Sequence, residues 1–114
     1  MIAAPIHTAP NGAEMLAILS ALANPHRLRI VAALREHGRK YVSELARLVG
    51  LSRPLLHLHL ARLAEAGLVT RRHELSGDGK ALAYFDLVEF AFELSPDAIV
   101  AAVRSLAALD PETP

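Results

Sequence analysis

Apolar residues recur at spacings of three and four in five separate stretches of this chain, the signature of helices with one buried face. From Gly12 onward, Met15, Ile18, Leu19 and Leu22 share a stripe and predict a first helix of about ten residues. Asn24 and Pro25 end it and begin the next, Asn24 as an N-cap acceptor and Pro25 as a first-turn residue. Leu28, Ile30, Val31 and Leu34 then alternate with Arg27, Arg29, Arg35 and Glu36 up to His37, and Gly38 closes this second helix. Val42, Leu45, Ala46 and Val49 mark a third, ended by Gly50 in the left-handed conformation that glycine adopts without a Cβ penalty. Ser52 caps a fourth, Pro54 sits in its first turn, and Leu56, Leu60, Leu63 and Gly67 lie along its inner face. Two short amphipathic helices joined through Gly50, Leu51 and Ser52 bury both stripes only side by side, a helix-turn-helix.

After Gly67 the period changes. Leu68 to Leu75, a turn signal Ser76-Gly77-Asp78-Gly79, and Lys80 to Val88 predict a two-stranded hairpin. Phe90 to Leu94 reads as strand end or loop. Ser95, Pro96 and Asp97 open a last helix with Ile99, Val100, Val103, Leu106 and Ala107 on its stripe, up to Asp110. The fold class expected is mainly α with a small two-stranded β-hairpin, a winged helix-turn-helix carrying an extra helix at each end for dimerisation. Residues 12–110 form its single domain, residues 1–11 a loose arm and residues 111–114 a tail.

Composition adds that the chain is 53% apolar yet only 4% aromatic, more aliphatic surface than a globule of 114 residues buries alone. An oligomer is expected. With no run long enough to span a bilayer and no export signal, the expected setting is soluble and cytoplasmic, without a membrane partner. The absence of cysteine removes disulfides, thiolate metal sites and thiol redox sensing. Net charge is zero, but it is unevenly spread. From Pro25 to Lys80 eleven basic residues face five acidic ones, whereas Ala81 to Pro114 holds one arginine and six acids. The positive surface is local to the helix-turn-helix and hairpin, where phosphate binding needs it.

At this point Ala23 to Ile30, Ser43-Glu44-Leu45-Ala46, Leu51-Ser52-Arg53-Pro54, His59-Leu60 with Leu63, and Glu65 to Val69 together resemble an ArsR/SmtB-type transcriptional regulator. The resemblance spans roughly Glu14 to Leu109. It implies a homodimer pairing through the first and last helices, binding an imperfect palindrome in double-stranded DNA and controlling nearby genes. The interface would then draw on Met15, Ile18, Leu19 and Leu22 from the first helix and Ile99, Val100, Val103 and Leu106 from the last.

In such a fold the helix from Arg53 lies in the major groove with its first turns nearest the base edges. The expected DNA-binding residues are Ser52, Arg53, Pro54, His57 and Arg62 on the helices and Arg71, Arg72 and Lys80 on the hairpin. Arg53 pairs with guanine or sets register on phosphate. Leu55 and Leu58 pack on the hairpin or meet thymine methyl groups. One hairpin arginine is expected to pair with an acid such as Glu74. A winged-helix protein-interaction module is the alternative reading, against which the basic hairpin argues. An enzyme is not expected, for no carboxylate pair, glycine-rich phosphate loop or nucleophile with its base is present, and Ser52 is explained as a cap.

Six histidines raise the question of a metal. His57 and His59 lie about 200° apart around a helix and cannot hold one ion. His59 and His26 match recurrent positions of the resembled family, where His59 is read as internally hydrogen-bonded. That family's cysteine site has no cysteine here, and its terminal-helix site needs histidines, of which none follows His73. Three effector classes remain: nickel or zinc at a histidine and carboxylate site assembled across the dimer from His7, Glu14 or terminal acids such as Asp97; a small molecule between the end helices; or a co-regulator protein.

Overall fold

The computed structural model describes residues 9–109, so His7, most of the arm and the tail lie outside the described residues. The order is α1 (Gly12–Leu22), α2 (Pro25–His37), β1 (Lys40–Tyr41), α3 (Val42–Val49), α4 (Arg53–Glu65), β2 (Val69–Leu75), β3 (Ala81–Leu87) and α5 (Pro96–Leu109).

The helix starts follow local capping chemistry. Asn11 and Glu14 form a reciprocal box, the Glu14 N–H donating to Asn11 Oδ1 at 2.8 Å and the Asn11 N–H to Glu14 Oε1 at 2.9 Å. Asn24 Oδ1 accepts from the N–H groups of His26 and Arg27, and Ser95 Oγ from that of Ala98. Between α3 and α4, Gly50 takes φ 70° and ψ 36°, the left-handed geometry that lets the chain reverse in three residues.

Leu56, Leu60 and Leu63 of α4 are fully buried against Ile18, Ile30 and Leu45 from α1, α2 and α3, with Leu68 and Phe85 closing the core on the sheet side. Phe90 and Phe92, in the irregular passage before α5, pack against this core. That passage is therefore an anchored loop.

The sheet has three strands, in the order β1-β3-β2 and all antiparallel. The expected hairpin is β2 and β3, and the expected two strands are corrected to three by the addition of β1. Lys40 and Tyr41 pair with Phe85 and Tyr84 along the free edge of β3, and a two-residue strand has no periodicity to reveal it. Their pairing shields one edge of the hairpin.

The terminal helices pack closely because of Gly12. A Cβ built there would come within 2.6 Å of the Ala102 carbonyl oxygen and closer still to Leu106 Cγ. The Gly12 N–H donates to Ser105 Oγ at 2.7 Å, and that hydroxyl donates to the Ala102 carbonyl at 2.8 Å. The expected dimer residues divide accordingly. Met15 and Ile18 are 5% and 1% exposed inside the protomer, so they offer no surface to a partner. Leu19, Leu22 and Leu106 are partly buried. Ile99, Val100 and Val103 stay open on α5, and Leu16 of α1, which the expected set omitted, is 56% exposed. The cause is that α1 is apolar all round, so spacing alone does not tell its core face from its free face.

Candidate nucleic-acid interface

Helix α4 is seated by hydrocarbon on one side and by a hydrogen-bonded histidine beside it. His59 is 6% exposed, and its Nδ1 lies 3.1 Å from Arg27 Nη1. Guanidinium has only donors, so Nδ1 accepts and the ring proton sits on Nε2. Arg27 also donates from Nε to the Ala21 carbonyl at 2.5 Å and from Nη2 to the Ser20 carbonyl at 3.4 Å. One side chain of α2 thus ties the last turn of α1 to α4. The His26 ring lies 5.4 Å from that of His59, tilted by 36°, and His26 Nδ1 is buried without a hydrogen-bond partner among the described residues. Burial holds the His59 pKa below the usual imidazole value, reinforced by the charge of Arg27 and by His26.

The opposite side of α4 is open. Arg53, Pro54, His57, Leu58 and Ala61 are all exposed, and Leu55 beside them is 39% exposed. Ser52 is exposed too, its Oγ accepting from the Leu55 N–H at 3.4 Å. Serine therefore works as a cap and keeps its hydroxyl proton to donate elsewhere. Arg62 is directed differently. Nine residues after Arg53, it sits about half a turn away around the helix axis, where it pairs with Glu65 at 3.8 Å. It lines an open groove of about 610 Å³ with Ala17 and Ser20 of α1 and Arg27 of α2. The structure does not group it with Arg53 and His57.

On the hairpin, alternation separates the two arginines. Arg71 and His73 project from the sheet face that carries the buried Val69 and Phe85, and Arg72 from the face of Tyr84. Arg72 Nε lies 3.6 Å from Asp86 Oδ2. An acid was expected beside one arginine, but Glu74 is otherwise engaged. It accepts from the Tyr41 hydroxyl at 2.5 Å and from Arg39 Nη2 at 3.4 Å. The Tyr41 hydroxyl is held above its usual pKa by that hydrogen bond, then by burial and the Glu74 charge. The Arg39 guanidinium lies 4.3 Å from the centroid of the Tyr84 ring, which meets Tyr41 edge-on at 5.9 Å. This brace from β1 and Arg39 holds the hairpin from its middle to its turn end. Sequence reading missed it because its parts come from three separated stretches.

At the tip, the Ser76 N–H donates to the Lys80 carbonyl at 2.8 Å and the Lys80 N–H to Ser76 Oγ at 3.1 Å. The Ser76 hydroxyl donates to Asp78, which holds that carboxyl below its usual pKa. Lys80 is exposed, and among the described residues Arg53, Arg71 and Lys80 form no ion pair. These three cations are free to meet phosphate.

Of the expected metal ligands, His7 lies outside the described residues. Glu14 serves the α1 cap, Asp97 lines a shallow cleft with Glu93 and Ser105, and among the described residues no three histidines, aspartates or glutamates come together. None of the described helices is long and apolar enough to cross a membrane.

Residues 24–71 match the family model described as bacterial regulatory protein, arsR family. An uncharacterised HTH-type transcriptional regulator of Methanocaldococcus jannaschii is 35% identical over 79 residues, which is 69% of this chain and 81% of the relative. HlyU from Vibrio cholerae superposes with a TM-score of 0.57 at 29% identity, covering 85% of this chain and 91% of that one. A homodimeric winged helix-turn-helix DNA-binding domain from Mycobacterium bovis superposes with a TM-score of 0.58 at 25% identity, covering 87% of this chain and 82% of that one.

Proposed function

Since the chain belongs to the arsR family of bacterial regulatory proteins, and is accordingly a DNA-binding transcriptional regulator, we propose that it acts as a homodimer on a palindromic operator. Each protomer inserts the first two turns of α4 into the major groove and rests its hairpin on the adjacent backbone. The observation that carries this reading is that α4 keeps Arg53 and His57 exposed in its first two turns while Leu56, Leu60 and Leu63 hold it in the core. Arg53 reads a base, having no carboxylate partner among the described residues to satisfy its fork of donors. Arg71 and Lys80 bind phosphate. Arg72 contributes less, because Asp86 already neutralises it.

Dimerisation through the open apolar residues Leu16, Ile99, Val100 and Val103 covers surface that otherwise stays wet. It is also supported by the homodimeric M. bovis neighbour. Two copies set the half-site centres about 10 base pairs apart.

The test is selection of bound duplexes from a random pool, followed by titration of a selected and a scrambled duplex over a range of salt. Tighter binding of the selected duplex, and a log affinity that falls linearly with log salt, are expected. Equal affinity for both duplexes sinks specific recognition.

A further inference from the structure

We propose that Leu58, with Leu55 beside it, reads the 5-methyl group of thymine, so that each half-site carries a thymine against the second turn of α4. The proposal rests on the DNA-binding reading above.

Leu58 is 54% exposed and Leu55 39%. Both leucines therefore keep surface open to a ligand, Leu58 the more of the two. Their neighbours on the open side, Pro54 and Ala61, are apolar as well. In a soluble helix that side would ordinarily carry polar groups. Leu58 lies five residues after Arg53, about 7.5 Å along the axis and about 140° around it, between the side of Arg53 and that of Arg62, whose groove it also lines.

Charge selects the occupant. Leu51 to Ala64 contains Arg53 and Arg62 and no carboxylate, and the hairpin adds Arg71 and Lys80. Glu65 borders the strip too but is paired with Arg62, so the unpaired charges around it among the described residues are those of Arg53, Arg71 and Lys80, which suits a polyanion with an apolar feature of its own. The major groove has one such feature, the thymine methyl. Every other base edge there presents donors or acceptors, and a leucine laid against them displaces water without replacing its hydrogen bonds. Leu58 thus favours thymine by contact and disfavours guanine and cytosine by desolvation.

Deoxyuridine removes the methyl and leaves base pairing and phosphates in place. In a duplex recovered by selection from a random pool, each thymine is replaced singly by deoxyuridine, and affinity is measured by fluorescence anisotropy. At one thymine in each half-site the wild-type dimer should lose about fourfold, the worth of one buried carbon, and about sixteenfold when both half-sites are changed. Leu58→Ala should bind the thymine and deoxyuridine duplexes alike, with an unchanged far-ultraviolet spectrum because the side chain is exposed. Leu58→Met should keep most of the discrimination. Wild-type affinity unchanged by every deoxyuridine substitution overturns the proposal while leaving specific binding intact. So does a Leu58→Ala variant that keeps the full wild-type methyl response, or binds all duplexes as the wild type does. Failure to recover any preferred duplex overturns the underlying reading and this proposal with it.

Discussion

Arg27 donates to Nδ1 of the buried His59 at 3.1 Å while holding the Ser20 and Ala21 carbonyls with its remaining N–H groups. Three helices meet at one guanidinium. Arg27→Ala leaves a buried imidazole nitrogen and a carbonyl without partners, and should lower stability by about 1–3 kcal/mol. Urea denaturation with unchanged slope is the measurement. Arg27→Lys should recover little, because an ammonium does not span the same three acceptors.

His59 also fixes a pH dependence. Its pKa in the folded protein is depressed below the unfolded value of about 6.5, so the unfolded chain takes up the proton first. Stability should be complete above about pH 6.5 and fall as pH drops from there toward the lowered folded pKa. Melting temperatures between pH 8 and pH 5 report it. In His59→Gln the same titration should be flatter; an unchanged slope would assign the effect to another group.

Gly12→Ala tests the packing of α1 on α5. The added methyl meets the Ala102 carbonyl and Leu106, neither of them a flexible side-chain tip, and the helices must separate at a cost of about 1–3 kcal/mol. Loss of the Gly12 to Ser105 hydrogen bond should accompany it. Amide exchange at Gly12, faster in the variant than in the wild type, is the local readout.

Val103→Glu places a charge in the open apolar surface of α5. Sedimentation should then find a monomer at concentrations where the wild type is a dimer, and operator affinity should drop by more than tenfold. The control Met15→Leu, inside the protomer, should leave association unchanged.

The cations differ by partner. Lys80→Ala should weaken every duplex alike and reduce the salt slope by about 0.9 per lost phosphate contact. Arg72→Ala should change it less, because Asp86 already holds that guanidinium. Arg53→Ala should alter which base is preferred at one position. Titrations over a range of salt separate the three.

What sequence made legible was whatever depends on neighbours along the chain. Asn24 and Ser52 cap α2 and α4, Gly50 reverses the chain, and Leu56, Leu60 and Leu63 face inward, each from signals within a few residues. The remainder depends on contacts between distant stretches. Nothing local announces that Lys40 and Tyr41 form a strand, or that Glu74 turns to Tyr41 and Arg39 and leaves Arg72 to Asp86. The core face of α1 was ambiguous for another reason: Leu16, Ile18 and Leu19 are equally apolar, and only the seating of α2, α4 and α5 selects among them.

The guanidinium of Arg27 has a mechanical consequence. It fastens the end of α1 to the middle of α4 with short, directional links, so the two move as one lever. In the proposed dimer, a small rotation of one protomer against the other at the terminal helices would then carry each α4 with it. The spacing of the two α4 helices would follow the angle of the dimer, and with it the fit to one turn of DNA.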